Sequence, residues 1–120
     1  MIENLFSEGE AFFSYPFRVL WLETNENQDS PAKMAVSVSS RKFKRAVKRN
    51  LIKRRTREAY RLNKPTFSSF LIKNEKSIVL LFLYTPSDVL EYDVIEKGIV
   101  NAIGKIERKL NKNGEKTEMR

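Results

Sequence analysis

The chain has no cysteine and no histidine in its 120 residues. Without cysteine there is no disulfide and no thiolate metal site, which suits a reducing compartment and leads to an expected cytoplasmic location. Without histidine the commonest general base and metal ligand is missing. Protein-only nuclease and zinc chemistry are set aside on that ground, and no catalytic or metal-ligating residue is assigned. Long apolar runs are missing too: none approaches the roughly 18–20 residues that span a bilayer. The opening MIENLFSEGE is acidic and too weakly apolar for a secretory signal. Acids are also nearly absent from one stretch. Residues 41–61 hold 11 Lys or Arg against the single acid Glu58, a net charge of +10, while the whole chain carries +8. A basic element this concentrated is an electrostatic footprint for a polyanion rather than general solubility.

What is present is enough for a fold. The hydrophobic fraction is 41%, with eight Phe, four Tyr and one Trp, which favours a packed domain over a disordered basic tail. The length suits one domain with a modest core.

Residues 2–8 read as a short helix ending near Gly9. Residues 11–22 read as one strand, with Phe13, Tyr15, Phe17, Val19 and Trp21 on one side and Phe12, Ser14, Arg18 and Leu20 on the other. Pro16 requires a bulge or an edge position there. Residues 23–32 form a polar loop, and residues 33–39 a second strand with Met34, Val36 and Val38 facing one way. The short loop suits an antiparallel hairpin between these two strands. A basic helix follows over about 43–63 and stops at Asn63-Lys64-Pro65, because proline disfavours a helical residue before it. Residues 66–74 read as a short helix or irregular turn. The run SIVLLFLY at 77–84 is a central strand covered on both faces. Thr85–Asp88 turn the chain. A last helix runs to about Leu110, with Ile95, Ile99, Ala102, Ile103, Ile106 and Leu110 at helical spacing. The order αββα(α)βα defines an α+β class: a single-domain, two-layer sandwich with a small mixed sheet packed by helices. The domain is expected to span 1–110, with 111–120 a flexible basic and polar tail.

On a helical wheel, Val47, Leu51, Ile52, Ala59 and Leu62 share one arc of about 140°, a face that docks on a sheet. Arg49, Asn50, Lys53, Arg54, Arg57 and Arg61 fill a second arc, with Tyr60 at its edge. Like charges at i, i+4 destabilise a helix, so this arc implies a compensating partner. Its arginines suit phosphate oxygens and base stacking. Asn50 suits a backbone group, a nucleic-acid contact and a hydrated ion equally well.

The segment Arg49-Asn50-Leu51-Ile52-Lys53-Arg54-Arg55-Thr56-Arg57 resembles the signature of the bacterial ribonuclease P protein subunit. That signature is Arg-Asn-Arg, a hydrophobe, Lys-Arg, two residues and Arg. Glu58-Ala59-Tyr60-Arg61 and the preceding Val36-Ser37-Val38-Ser39 also match family forms. Leu51 departs from the pattern, at a position the wheel gives to the apolar face. The resemblance covers about residues 2–110. It implies a left-handed βαβ crossover, against the usual hand. It implies a catalytic RNA partner, the ribonuclease P RNA, whose own Mg²⁺ supports endonucleolytic removal of the 5′ leader from precursor tRNA. It implies no cofactor on the chain itself, no membrane and no DNA. The expected RNA-binding residues are Arg45, Lys48, Arg49, Asn50, Lys53, Arg54, Arg57 and Arg61. The expected cleft for the single-stranded leader holds Phe6, which matches a family cleft aromatic, with Arg18 and Leu20 on the strand face and Ser37 and Ser39 beside them. Phe13, Phe17 and Trp21 are expected in the core.

A non-enzymatic RNA- or ribosome-binding protein shares the charge argument. A DNA-recognition helix lacks the upstream turn and partner helix it requires. A membrane-surface helix has too poor an apolar face, which the strands need for packing.

Overall fold

The computed structural model describes residues 6, 8–24 and 30–118, with side chains as far as Asn111. Of the expected first helix, Phe6 and Glu8 are helical, and residues 2–5 and 7 lie outside the described residues, as do residues 25–29 of the polar loop. The elements run β1 (Glu10–Ser14), β2 (Phe17–Glu23), β3 (Ala32–Val38), α1 (Ala46–Lys73), β4 (Ile78–Tyr84) and α2 (Tyr92–Glu118). They form the expected α+β sandwich, one mixed four-stranded sheet with helices on it, in the spatial order β1-β2-β4-β3.

The central strand is where the apolar run places it. β4 pairs antiparallel with β2 and parallel with β3, and every residue in it is buried except the half-buried Leu83. The single strand expected over 11–22 is instead a hairpin. Ser14 pairs with Phe17, and the chain reverses at Tyr15-Pro16 through a cis peptide bond. Proline has no N–H for a ladder, so the break falls at Pro16 as a reversal rather than a bulge. β2 and β3 do not form the expected hairpin either. β4 sits between them, because a strand apolar on both faces takes neighbours on both edges.

One face of the sheet carries the main core. Phe17, Val19, Trp21, Leu80 and Phe82 meet Ile52, Ala59, Phe67 and Leu71 of α1 and the Ile95–Leu110 stripe of α2 there. Phe17 packs edge-on to Phe82, with ring centroids 5.3 Å apart. Tyr84 donates its hydroxyl to Asp88 O at 2.7 Å and accepts the Leu90 N–H at 3.0 Å, which organises the turn into α2. The other face holds a smaller cluster of Leu20, Val79 and Leu81, flanked by Leu22 and Leu83.

α1 starts at Ala46 rather than near residue 43, and does not stop at Pro65. An interior proline costs about 3 kcal/mol. Phe67 and Leu71 beyond it are both 0% exposed, and burying two such side chains contributes roughly 1.5–3 kcal/mol each. Packing outweighs the local rule, and residues 66–73 join the helix. The helix ends in a Schellman arrangement: Lys76 N–H donates to Leu71 O, Glu75 N–H to Ile72 O, and Glu75 takes φ 55°. α2 runs on to Glu118, past the expected end near Leu110.

The buried stripe of α1 is also rotated from the expected one. It runs Ile52, Thr56, Ala59, Tyr60, Phe67, Leu71, while Val47 and Leu62 are 77% and 54% exposed. Thr56 tolerates burial by donating its hydroxyl to Ile52 O at 2.8 Å. Tyr60, expected at the edge of the cationic arc, is buried, and its hydroxyl has no hydrogen-bond partner among the described residues. Burial pushes this phenol up to about 12. The unfolded chain therefore releases the proton first, near pH 10, so the stability is fully present below that pH and is lost as pH rises toward 12. Tyr60→Phe removes an unsatisfied hydroxyl and should stabilise the fold by about 1 kcal/mol in urea unfolding. It should also flatten the alkaline fall relative to the parent chain; equal or lower stability at neutral pH would show that the hydroxyl is satisfied.

Candidate nucleic-acid interface

α1 projects its charge from the side opposite Thr56. Asn50, Arg54, Arg57 and Arg61 are all exposed and lie at helical spacing on one stripe. The Asn50 side chain forms no hydrogen bond within the described residues, so a backbone-satisfying role has no support here. Arg54 and Arg57 likewise have no hydrogen bond or ion pair among the described residues. Arg61 pairs with Glu58 at 2.6 Å, and that guanidinium holds the Glu58 carboxyl below its usual range. An exposed pair of this kind contributes little to stability.

The basic residues do not all present themselves to a partner. Arg49 is half-buried and turned inward, donating Nη1 to the Phe43 and Lys44 carbonyls. It thereby fixes the loop that leads into α1, with Arg45 as its extended N-cap residue. Lys42 donates to Thr85 O. Arg55 donates to Leu90 O at 2.6 Å and ties α1 to the segment before α2. Around the buried Phe43, the exposed Arg41, Lys44, Arg45 and Lys48 form a shallow bowl beside Asp88. Lys53 is half-buried on the flank of the stripe.

The sheet face away from the main core brings some of the expected cleft residues together. Strand register aligns Phe13, Arg18, Leu83 and Ser37 as successive cross-strand partners in one row. Arg18 and Ser37 are exposed in that row. Leu20 lies in the next row and is 4% exposed, so it presents no surface for stacking. Ser39 Oγ accepts the Arg41 and Lys42 N–H groups at 3.2 and 3.4 Å, which makes it a turn residue. Phe6 is 61% exposed. Phe17 and Trp21 are core residues as expected, but Phe13 is 52% exposed and Tyr15 55%. The strand alternation conceals both, because it runs straight through the Tyr15-Pro16 reversal. Among the described residues no group of three acidic, histidine or cysteine side chains is arranged to hold a metal ion, and no helix is long and apolar enough to cross a membrane.

Fold and site define a class: a small α+β protein whose crossover helix, between two parallel strands, carries a polycationic stripe. The Ribonuclease P family model matches residues 1–107. A ribonuclease P protein component of Porphyromonas gingivalis is 34% identical over 105 residues, covering 88% of this chain and 77% of that protein. The RNase P protein of Thermotoga maritima superposes with a TM-score of 0.69 at 19% identity, covering 87% of this chain and 89% of that one. The Staphylococcus aureus RNase P protein does so with 0.64 at 23% identity, covering 88% and 86%. At such identities the two structures speak for the fold. The chain belongs to the ribonuclease P protein component family. Membership gives it a part in tRNA processing, with an RNA partner in a ribonucleoprotein.

Proposed function

We propose that the chain is the accessory protein subunit of ribonuclease P in the cytoplasm. It binds the catalytic RNA through the outer stripe of α1 and holds the single-stranded 5′ leader of precursor tRNA along the sheet row that exposes Arg18 and Ser37. The observation that carries this reading is the stripe of Asn50, Arg54 and Arg57, whose side chains have no partner among the described residues of their own chain. Phosphates offer charge-assisted bonds to those guanidinium groups and release counterions on binding. Arg45 and Lys48 extend the interface around the helix start, and Lys53 and Arg61 flank it. Arg49 contributes by shaping the loop. On the sheet, Arg18 and Ser37 meet the leader backbone, and Phe6 offers a stacking surface.

Endonucleolytic hydrolysis belongs to the RNA subunit, which carries the Mg²⁺. This chain's residues position the substrate and neutralise phosphates, and neither DNA nor a membrane enters the scheme.

The test is cleavage of a precursor tRNA with a 5′ leader by the cognate catalytic RNA at low Mg²⁺, with and without the chain. Protein-dependent cleavage at the mature 5′ end is the expected result. Tight, salt-sensitive RNA binding without stimulation would instead identify a non-enzymatic RNA-binding protein.

A further inference from the structure

We infer that the leader's path continues over the β1 edge of the sheet into a groove against α2, where Phe13 and Tyr15 take up bases and Lys97, Lys105 and Arg108 meet phosphates. This inference rests on the leader reading of the sheet face and extends it to residues outside the expected cleft.

The groove has a volume of about 880 Å³ between the β1–β2 turn and α2. Its two aromatic rings are more than half exposed, lie 6.3 Å apart centroid to centroid, and are tilted by 58°. Phe13 is also the last member of the cross-strand row that contains Ser37, Leu83 and Arg18. A strand of RNA lying along that row meets Phe13 at the sheet edge and Tyr15 just beyond.

The wall opposite is cationic. Lys97 and Arg108 form no hydrogen bond or ion pair among the described residues. Lys105 donates to Phe13 O at 3.0 Å and lies over the Phe12 ring at 5.2 Å. Asp93 is the acid that lines the groove against these three cations. Exposed aromatics beside cations are the arrangement that binds single strands without sequence preference. An acidic peptide would match the charge but not the paired rings. The groove is built on a fixed seat, because Ser14 Oγ donates to Gly98 O at 2.9 Å and is buried there.

The experiment uses holoenzyme reconstituted from the full chain and its cognate catalytic RNA, with precursor tRNAs carrying leaders of graded length. Affinity for the parent protein should rise with leader length. Phe13→Ala with Tyr15→Ala should remove the gain from the longer leaders, about five- to hundred-fold per base unstacked, and leave the shortest leader unaffected. Lys97→Glu with Arg108→Glu should act in the same direction. That second variant alters only exposed α2 side chains, so it reads the groove even where the first lowers stability. If the parent shows the length-dependent gain and both variants keep it in full, the groove assignment is overturned and the sheet-face reading stands. If the parent shows no gain at all, both fall. Hexaglutamate that binds the groove, is released in the variants and leaves leader affinity unchanged would assign the groove to a protein partner and overturn the inference.

Discussion

Replacing Arg54 and Arg57 together with alanine is expected to weaken binding to the catalytic RNA by about two orders of magnitude at moderate salt. The figure follows from roughly 1.5 kcal/mol for each charge-assisted hydrogen bond to phosphate that alanine cannot make. The dependence of log affinity on log salt should become shallower by about two units, one for each phosphate no longer neutralised. Both side chains are exposed and hold nothing within the described chain, so the thermal midpoint should stay where it was or rise slightly as like-charge repulsion is relieved. Binding isotherms at several salt concentrations, paired with thermal unfolding, provide the check. Unchanged affinity with an unchanged salt slope would remove this stripe from the interface.

Gly98→Val is expected to destabilise the fold strongly, costing about 3 kcal/mol in urea unfolding through overpacking. A Cβ at Gly98 would lie 2.4 Å from Tyr15 O and 2.7 Å from Pro16 Cδ. Both atoms belong to the stiff hairpin turn, and neither is the end of a flexible side chain. The turn must lift off α2 and give up the bond from Ser14 to Gly98 O. Gly104 in the same helix is the internal control, because a Cβ there meets only Arg108 Nη1, at 3.5 Å. Alanine at 104 should therefore stabilise by up to ~1 kcal/mol, the ordinary helix preference. Alanine at 98 as stable as the parent would mean that the hairpin is not seated on α2.

Much of this molecule was legible in the sequence wherever one physical signal dominated. The solid apolar run at 78–84 could only be a strand with neighbours on both edges. The Ile95–Leu110 stripe is buried residue for residue, and of the basic run Lys48, Arg54, Arg57 and Arg61 are exposed on α1, while residues 41–45 precede the helix and Arg49, Lys53 and Arg55 are half-buried. The misreadings have a common origin in signals of short range. Alternation through 11–22 carries across the reversal because the residues on either side of Tyr15-Pro16 continue the pattern by chance. A connecting loop reports its length but not which strand fills the place beside it, so β4 between β2 and β3 left no mark on residues 23–32. The stop at Pro65 is a local rule, whereas the burial of Phe67 and Leu71 is set by elements distant in sequence. The wheel sorted α1 by hydrophobicity and so missed Thr56, which enters the core by bonding its own helix. Arg49 and Arg54 are identical in composition, and only the loop carbonyls of Phe43 and Lys44 distinguish the inward residue from the outward one.

The helix that links β3 to β4 is the same one that bears the unneutralised charge. A connection of this kind cannot be loosened without disturbing the sheet it bridges, so the ligand-facing side and the scaffold share one thermodynamic fate. A polyanion that bound Arg54 and Arg57 only in the folded helix would therefore stabilise the strand pair that the helix joins, and a packing fault along the stripe from Ile52 to Leu71 would weaken that binding in turn. The free protein and its ribonucleoprotein form are thus two load states of a single beam.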